Sequence, residues 1–218
     1  MNAPMPRLFV IRHGETEWSL NGKHTGRTDL PLTAHGEEII RQHAKNITCA
    51  SGFLDNRNIG FVFVSPRQRA HKTFHLLFEH CAACMPEHTV TEDVREWDYG
   101  EYEGITTDEI HKTLPEWDIF RDGCPGGESP EDITKRVDGI IKNIREIHRK
   151  YREEGVGKRD VLVVAHGHFT RVLIARWLEA PITLGAHFNV EAAGVAVLSY
   201  NHHSLAEPCL DGLNLFAH

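Results

Sequence analysis

The chain has 218 residues, of which 40% are hydrophobic and 25% charged, and its formal net charge is -7. This composition is ordinary for a soluble globular protein, and an acidic chain is not expected to bind nucleic acid or an anionic membrane through a general basic surface. No apolar run approaches the ~20 residues of a membrane span, and residues 1–7 lack the basic and apolar regions of a signal peptide. We therefore expect a cytoplasmic protein with a single domain over 1–218, because no linker or low-complexity stretch divides the chain.

Apolar runs and helix-start signals predict strands that alternate with helices. The predicted elements, in chain order, are a strand at 8–12, a helix at 34–48, a strand at 61–64, a helix from Ser65 to about Cys81, an edge strand at 88–90, a helix from Ser129 to about Tyr151, a strand at 160–165, a helix from His168 to Leu178 and a last strand at 195–200. Thr33, Ser65 and Ser129 are suitable N-caps for three of these helices. The alternation predicts a three-layer α/β/α fold, in which helices cover both faces of a mostly parallel sheet.

One long segment lacks a regular pattern. Residues 94–129 are rich in Gly, Trp and acidic residues, and only one helix near 106–113 is expected there. A loop region of this length inside a compact domain is usually functional. We therefore expect a lid or a specificity loop.

The five cysteines and sixteen histidines do not predict a metal or redox centre. An odd number of cysteines without a signal peptide indicates reduced thiols. Cys81 and Cys84 have the spacing of a zinc or redox pair, but the chain has no second such pair, so we interpret them as helix-packing residues. Most histidines are scattered, among them His71, His75 and His88, without Asp or Cys partners at ligand spacing. We expect neither a metal nor a cofactor.

Two motifs place a histidine directly after a predicted strand. The first strand leads into Arg12-His13-Gly14-Glu15, and the strand at 160–165 leads into His166-Gly167-His168. The carboxyl ends of parallel strands lie at one edge of a sheet, where open α/β proteins bind their ligands. The two histidines are therefore expected to belong to one site that is built from both ends of the chain.

The residues around these motifs indicate a site for a phosphoryl group. Arg12 and Arg69 carry guanidinium groups, which bind phosphate oxygens in a bidentate manner. The predicted helix N-termini after Ser65 and Gly167 add backbone N–H groups. His166 can hold the same phosphoryl group as a charged hydrogen-bond donor.

The same set of residues predicts how a phosphoryl group reacts. His13 as a neutral imidazole is a competent nucleophile toward phosphorus, and the nearby arginines disfavour its charged form. The leaving alkoxide needs a proton from a carboxylic acid, and Glu96, which has aromatic neighbours, is the candidate. For His168 a contact with substrate and a plain helix start remain equally open.

Five segments of the sequence resemble a known family. They are Leu8–Thr16, Thr25-Gly26, Ser65–Thr73, Glu96–Gly100 and Ala165–Arg171. Over nearly its whole length the chain resembles the histidine phosphatase superfamily, the phosphoglycerate mutase-like proteins. The resemblance implies their fold, phosphorylation of His13 on nitrogen, and Glu96 as proton donor and then as base toward water. It also implies that Arg12, Arg69 and His166 complete the phosphate pocket, and that no metal or organic cofactor takes part.

The resemblance also implies a set of substrate-binding residues. They are Ser19, Thr25, Gly26, Tyr99, Gly167, His168 and Arg171. Ser19 departs from the family pattern, because many members have Asn at its position. The partner that the resemblance implies is a small phosphorylated sugar or polyol. The helix faces are compatible with either a monomer or a homodimer.

Further segments are similar to one branch of this family, the fungal sedoheptulose-1,7-bisphosphatases. They are Arg95–Gly104, Trp117–Cys124 and Leu198–His203. This branch implies hydrolysis of sedoheptulose 1,7-bisphosphate or a similar sugar bisphosphate. The chain departs from it between Glu179 and Glu191, where the branch carries a longer insertion. A related short form acts on sugar-alcohol phosphates such as arabitol phosphate, so this activity is the alternative. A phosphoglycerate mutase-type phosphotransferase is less favoured, since the chain lacks the Arg-rich segment of mutases, and the intact motif set argues against a non-enzymatic binding protein.

Overall fold

In the computed structural model, which describes residues 3–48 and 53–217 (82–84 by their backbone alone), six strands form one sheet. The strands are β1 (Arg7–Arg12), β2 (Ile59–Val64), β3 (Thr89–Val90), β4 (Asp160–Ala165), β5 (Val195–Tyr200) and β6 (Pro208–Leu215). Their order across the sheet is β3-β2-β4-β1-β5-β6. The first four strands pair in parallel, whereas β5 and β6 are antiparallel to their neighbours. The predicted mostly parallel sheet is confirmed.

The strand β6 differs from the sequence prediction. The expectation that 195–200 is the last strand is wrong, because β6 follows it and pairs with β5. Asp211, Gly212 and Asn214 lie within β6 and belong to residue types that are depleted in strands. The strand forms at the edge of the sheet, where Pro208 at its first position is tolerated.

Helices cover both faces of this sheet. Among the described residues the α-helices are α1 (Glu17–Leu20), α2 (Ala34–Ile47), α3 (Gln68–Phe78), α4 (Thr107–His111), α5 (Ile119–Asp122), α6 (Pro130–Arg149) and α7 (Gly167–Trp177). Leu8 and Val10 of β1 belong to the core that α6 and α7 complete, while Phe9 and Ile11 belong to the core of α2 and α3. Burial on both faces explains the continuous apolar run of β1. No helix in the described ranges has the length and apolar character to cross a membrane.

Local capping explains where two predicted helices begin. The hydroxyl of Thr33 accepts the N–H of Gly36 at the start of α2. Ser129 forms a reciprocal capping box with Asp132, and Pro130 occupies the first position of α6. These bonds satisfy N–H groups that have no partner within the helix. The predicted helices over 34–48 and 129–151 are confirmed, although α6 ends at Arg149 and continues as one turn of π-helix.

The observed start of α3 differs from the predicted start. The helix begins at Gln68 rather than at Ser65, and its first N–H donates to Asp29 Oδ1 at 2.7 Å. The expected N-terminal anion site after Ser65 is therefore wrong, because a carboxylate of the chain itself occupies that position. Ser65 lies before the helix, and its hydroxyl contacts His166 instead.

The end of α3 also differs from the prediction. The α-helix ends at Phe78, and a 3₁₀ segment, Glu79–Cys84, follows with a break from helical geometry at Cys81 (φ −143°, ψ 59°). Cys81 takes part in a disulfide bond, so the expectation that all thiols are reduced is wrong at this residue. A count of cysteines does not reveal which side chains the fold brings together.

The long segment 94–129 is anchored to the body of the domain. Glu128 binds Arg136 of α6 at 2.8 Å and also accepts the N–H of Asp98 at 3.0 Å. The indole of Trp97 is fully buried and donates to the carbonyl of Glu128 at 3.0 Å. The helix expected near 106–113 is present as α4. The segment is thus a packed wall of the carboxyl edge.

Candidate active site

The two His-Gly turns meet at the carboxyl edge of the sheet. β1 and β4 are adjacent and parallel, and Arg12 lies opposite Ala165 in their register. The N–H of His13 donates to the carbonyl of Ala165 at 2.9 Å. The rings of His13 and His166 have centroids 5.1 Å apart. The structure therefore brings together the two histidines that the sequence placed at one site.

The local geometry of His13 leaves one ring nitrogen available. Its Nδ1 lies 2.7 Å from the carbonyl oxygen of Gly14, which can only accept, so Nδ1 carries the proton and Nε2 carries the lone pair. Burial, followed by the charges of Arg69 and Arg12, holds the pKa of His13 well below its usual value. His13 is therefore neutral at pH 7, as a nucleophile must be. A Cβ at Gly14 would lie 2.5 Å from Ile40 Cδ1 and 3.3 Å from the carbonyl oxygen of Gly36, so a side chain there would displace the end of Ile40.

His166 is fully buried and is held by Ser65. Its Nε2 lies 2.7 Å from Ser65 Oγ, which also accepts the N–H of Arg67 at 3.4 Å. The serine hydroxyl can therefore donate to Nε2, and the proton of His166 then stands on Nδ1, which is buried and unbonded among the described residues. Burial and the charge of Arg69 hold the pKa of His166 well below its usual value. His166 was expected to be a charged hydrogen-bond donor. Because its pKa is lowered, it can carry that charge only when a bound anion offsets the positive charges of the arginines.

The two arginines are fixed by backbone carbonyls. Arg12 Nη1 donates to the carbonyl of Val190 at 2.6 Å. Arg69 donates through Nη1 to Thr28 at 2.9 Å and through Nη2 to Thr25 at 2.8 Å and Gly26 at 3.3 Å. The Nε atoms of both arginines are buried and have no hydrogen-bond partner within the described ranges. Each guanidinium is thus held by its terminal nitrogens, and its Nε remains as a donor.

Glu96 is bound by the N-terminus of α7. Its Oε1 accepts the N–H groups of Trp97 at 2.9 Å and Phe169 at 2.8 Å, and its Oε2 accepts that of His168 at 3.1 Å. The expectation that the N–H groups after Gly167 bind phosphate is thus wrong for two of them, because a carboxylate reaches them first. Oε2 accepts one N–H group and Oε1 accepts two, so Oε2 is the freer of the two carboxylate oxygens.

A cavity of about 270 Å³ opens above these residues. It is lined by Arg12, His13, Thr16, Ser19, Gly22, Lys23, His24, Thr25, Glu96, Tyr99, Thr107, Gly167, His168 and Arg171. The predicted substrate-binding residues other than Gly26 are thus in its wall. Gly26 supports Arg69 instead, and a side chain there would lie 2.5 Å from the carbonyl of Trp97.

Several lining side chains already have partners within the protein. Ser19 Oγ accepts the N–H of Thr16 at 2.9 Å and donates to its carbonyl at 2.8 Å, so this hydroxyl caps α1. Tyr99 Oη lies 2.7 Å from His168 Nδ1. The Tyr99 ring stacks on the His24 ring, with the two centroids 4.6 Å apart. Burial lowers the pKa of His24 to about 4 and also lowers that of His168. These rings form a neutral aromatic wall.

Sequence reasoning missed five lining residues and the partner of His166. The missed lining residues are Thr16, Gly22, Lys23, His24 and Thr107. An antiparallel bridge between Lys23 and Thr106 joins two segments that are more than eighty positions apart, and the motifs contain no signal for it. Ser65 stands within a quoted motif, but its hydroxyl was interpreted as a helix cap.

Comparisons with known proteins agree with this architecture. The sequence profile of the histidine phosphatase superfamily (branch 1) matches residues 8–207. A sedoheptulose 1,7-bisphosphatase from Saccharomyces cerevisiae is 34% identical, over 94% of this chain and 92% of its own. An acid phosphatase from Mycobacterium tuberculosis is 36% identical, over 90% and 87%.

A solved structure gives the same result. The structure of the open reading frame Rv3214 from Mycobacterium tuberculosis superposes with a TM-score of 0.82 at 33% identity, and the match covers 98% of this chain and 99% of that one. Mycobacterial glucosyl-3-phosphoglycerate phosphatase shares the fold with a TM-score of 0.75 at 23% identity. The profile match and these relatives establish that the chain belongs to the histidine phosphatase superfamily and is a phosphoric monoester hydrolase.

Proposed function

We propose that the protein is a metal-independent sugar-phosphate phosphatase that acts through a phosphohistidine on His13, with sedoheptulose 1,7-bisphosphate or a similar sugar bisphosphate as its substrate. One observation carries this proposal. His13 is neutral and buried, its Nδ1 is bound to Gly14, and its Nε2 remains for reaction beside His166 and two arginines. A site of this kind can stabilise a transferring phosphoryl group by guanidinium and imidazole donors alone.

In the first step, Nε2 of His13 attacks phosphorus, and the bond from phosphorus to the sugar oxygen breaks. The leaving oxygen takes a proton from Glu96, whose Oε2 is the freer of its two oxygens. The Nε groups of Arg12 and Arg69 and the Nδ1 proton of His166 donate to the phosphoryl oxygens. The products are phospho-His13 and the dephosphorylated alcohol.

In the second step, water attacks phospho-His13. The carboxylate of Glu96 takes a proton from that water, the bond between phosphorus and nitrogen breaks, and inorganic phosphate leaves. Glu96 ends the cycle protonated and His13 neutral, as each began. The hydrogen bonds to Trp97, His168 and Phe169 hold the carboxylate in one orientation through both steps.

Charge at the cavity supports a substrate with a second phosphate. Lys23 and Arg171 line the cavity in addition to Arg12. The Nε of Arg171 is buried and has no partner among the described residues. The relative from Saccharomyces cerevisiae is a sedoheptulose 1,7-bisphosphatase. The two cations give a comparable bisphosphate a second point of attachment.

A sugar-alcohol monophosphate such as arabitol phosphate is the alternative substrate. The alignment with the yeast relative extends over 250 positions, more than the 218 residues of this chain, so the two proteins differ by insertions. The segment between Glu179 and Glu191 is short here and contains one 3₁₀ stretch. A mutase-type transfer to a second acceptor is the third candidate.

The test is a phosphate-release panel with EDTA present. It compares sedoheptulose 1,7-bisphosphate, fructose 1,6-bisphosphate, arabitol phosphate and 3-phosphoglycerate on the purified protein. We expect kcat/KM for at least one bisphosphate to exceed that for arabitol phosphate by ~10-fold or more, which corresponds to about 1.4 kcal/mol from the second phosphate. A preference for arabitol phosphate would replace the bisphosphate assignment, and phosphate found on an added acceptor rather than in solution would favour the mutase.

A further inference from the structure

Three histidines that are scattered in the sequence converge on the outer side of α3. His71 and His75 are four residues apart, so they lie on the same face of the helix. Their ring centroids are 4.5 Å apart. His88, which immediately precedes the edge strand β3, has its ring centroid 6.1 Å from that of His71 and 6.0 Å from that of His75.

The ring nitrogens of these histidines are close enough to share one ion. One nitrogen from each side chain lies within 4.8 Å of the other two. A tetrahedral zinc ion with bonds of about 2.0–2.1 Å places its ligands about 3.4 Å apart, so side-chain rotations are sufficient to close the site. All three side chains are half-buried, and the ring of Phe74 packs 4.3 Å from His88.

The surroundings suit a cation bound by neutral imidazoles. The three rings have no hydrogen-bond partner among the described residues, so no carboxylate or carbonyl competes for their nitrogens. Burial and the neighbouring imidazoles, with Lys72, lower the pKa of His75. The Lys72 ammonium itself pairs with Glu37 at 3.7 Å. Neutral imidazole is the form of histidine that binds metal.

We propose that His71, His75 and His88 form a binding site for a divalent transition-metal ion, Zn²⁺ first among them. Imidazole nitrogen favours Zn²⁺, Co²⁺, Ni²⁺ and Cu²⁺ over Mg²⁺ and Ca²⁺, which prefer oxygen. Three protein ligands leave the fourth position of a tetrahedral ion to water. The expectation that the scattered histidines hold no metal is replaced by this proposal.

This site is separate from the proposed phosphatase chemistry. Arg69 donates to the carbonyl of Thr28, and Thr73 accepts the N–H of Gly14, from other positions of α3. The bound ion would connect α3 to the start of the short edge strand β3 across the 12 residues that lie between His75 and His88. An ion that binds only the folded state stabilises it in proportion to the logarithm of its concentration over Kd. The ion is therefore expected to raise the Tm and, because it lies outside the cavity, to leave turnover nearly unchanged.

The test uses full-length, tag-free protein that has been stripped of metal with EDTA and dialysed. Titration with ZnCl₂ is followed by calorimetry, and Co²⁺ is used as a spectroscopic substitute. We expect one site with a micromolar or tighter Kd. His88→Ala is expected to weaken binding ~10-fold or more, because even the loss of a group that only orients a ligand costs about 10-fold or more in metal affinity. His71→Ala provides a second variant if the first is unstable. His80→Ala, an exposed histidine on the segment after α3, is the control and is expected to bind as the wild type does.

Two readouts separate this site from metal capture by the catalytic histidines. Stoichiometric Zn²⁺ is expected to raise the Tm of the wild type and of His80→Ala, to have no such effect on the triple variant at 71, 75 and 88, and to change phosphatase activity less than ~2-fold. Equal Zn²⁺ affinity in the wild type and His88→Ala would overturn the proposal, because it would leave only a helical histidine pair. Stoichiometric inhibition by Zn²⁺ that persists in the triple variant would overturn it as well, since it would place the ion at the catalytic centre.

Discussion

The floor and the rim of the cavity are held by different kinds of contact. We call Arg12, His13 and Glu96, which line the cavity, and Arg69 and His166, which adjoin His13 without lining it, the floor. The rim consists of Ser19, Lys23, His24, Thr107 and Arg171. Floor side chains are fixed largely by backbone groups of rigid elements, such as the Gly14 carbonyl and the first N–H groups of α7. Rim side chains come from several separate elements, namely α1, α4, α7 and the segment that contains Lys23 and His24. The ring of His24 packs against the rings of Tyr99 and His168.

This difference separates two tasks. A reaction that depends on sub-ångström placement is carried by groups at the ends of strands and helices, whose backbone cannot easily move. Substrate choice is expected to depend on the rim, whose side chains come from separate surface elements that can change without loss of the core. Changes in the floor are therefore expected to reduce kcat, whereas changes in the rim are expected to alter KM and selectivity.

The largest effect is expected from removal of the proposed nucleophile. His13→Ala should lower kcat by ~10⁴-fold or more on every substrate, because no other group can form the covalent intermediate. Wild-type protein mixed with a ³²P-labelled substrate should retain acid-labile label, and the variant should retain none. Circular dichroism of the exposed-site variant His35→Ala and of His13→Ala checks that both are folded. Retained label in His13→Ala would place the nucleophile elsewhere.

A smaller loss is expected from Glu96→Gln, which keeps the shape of the side chain but removes its transferable proton. For a sugar phosphate we expect kcat to fall by ~10²–10⁴-fold. The loss should shrink with p-nitrophenyl phosphate, because its leaving group needs no proton. Rates for a series of leaving groups measure this directly. An equal loss on both substrates would assign Glu96 a purely structural role at the start of α7.

The rim should respond through binding. Arg171→Met is expected to raise KM for a sugar bisphosphate ~10-fold, with kcat within ~3-fold, since one phosphate contact is lost and the floor is unchanged. A monophosphate should show little change. Lys142→Met on the exposed side of α6 is the matched charge control. If Arg171→Met reduced kcat on all substrates alike, the distinction between floor and rim would fail at this residue.

The smallest effect concerns buried histidines inside and outside the cavity. Burial lowers the pKa of His24 and of His148 to about 4, while in the unfolded chain both titrate near ~6.5. The unfolded state therefore binds more protons between about pH 6.5 and 4, and the free energy of unfolding falls as pH decreases through this window. Each histidine contributes up to about 1.4 kcal/mol per pH unit.

Urea denaturation at pH 7, 6 and 5 measures that slope. His148→Gln should reduce the slope by the contribution of one histidine. His148 lies away from the cavity, beside Tyr200, and no other group replaces its titration. Equal slopes in the wild type and His148→Gln would show that this imidazole titrates normally in the folded protein.

Much of the fold and of the proposed floor could be predicted from the sequence. The apolar runs of β1 and β4 and the caps at Thr33 and Ser129 are local features, and short stretches of backbone determine them. His13 and His166 follow parallel strands, and such strands must end at one edge. The roles assigned to these residues in catalysis remain predictions, whereas their convergence is a structural fact.

Contacts between distant segments could not be predicted in this way. Ser65 binds His166 across 101 positions, and α7 binds Glu96 across more than 70. The spacing of His71 and His75 is visible in the sequence, but only the position of the edge strand brings His88 to them. The pattern of apolar residues and helix caps therefore predicted most of the elements, and the short motifs, with the family resemblance, predicted the floor residues. Packing of the loops and helices, on which local patterns carry no information, decided their partners, the rim and the histidine cluster.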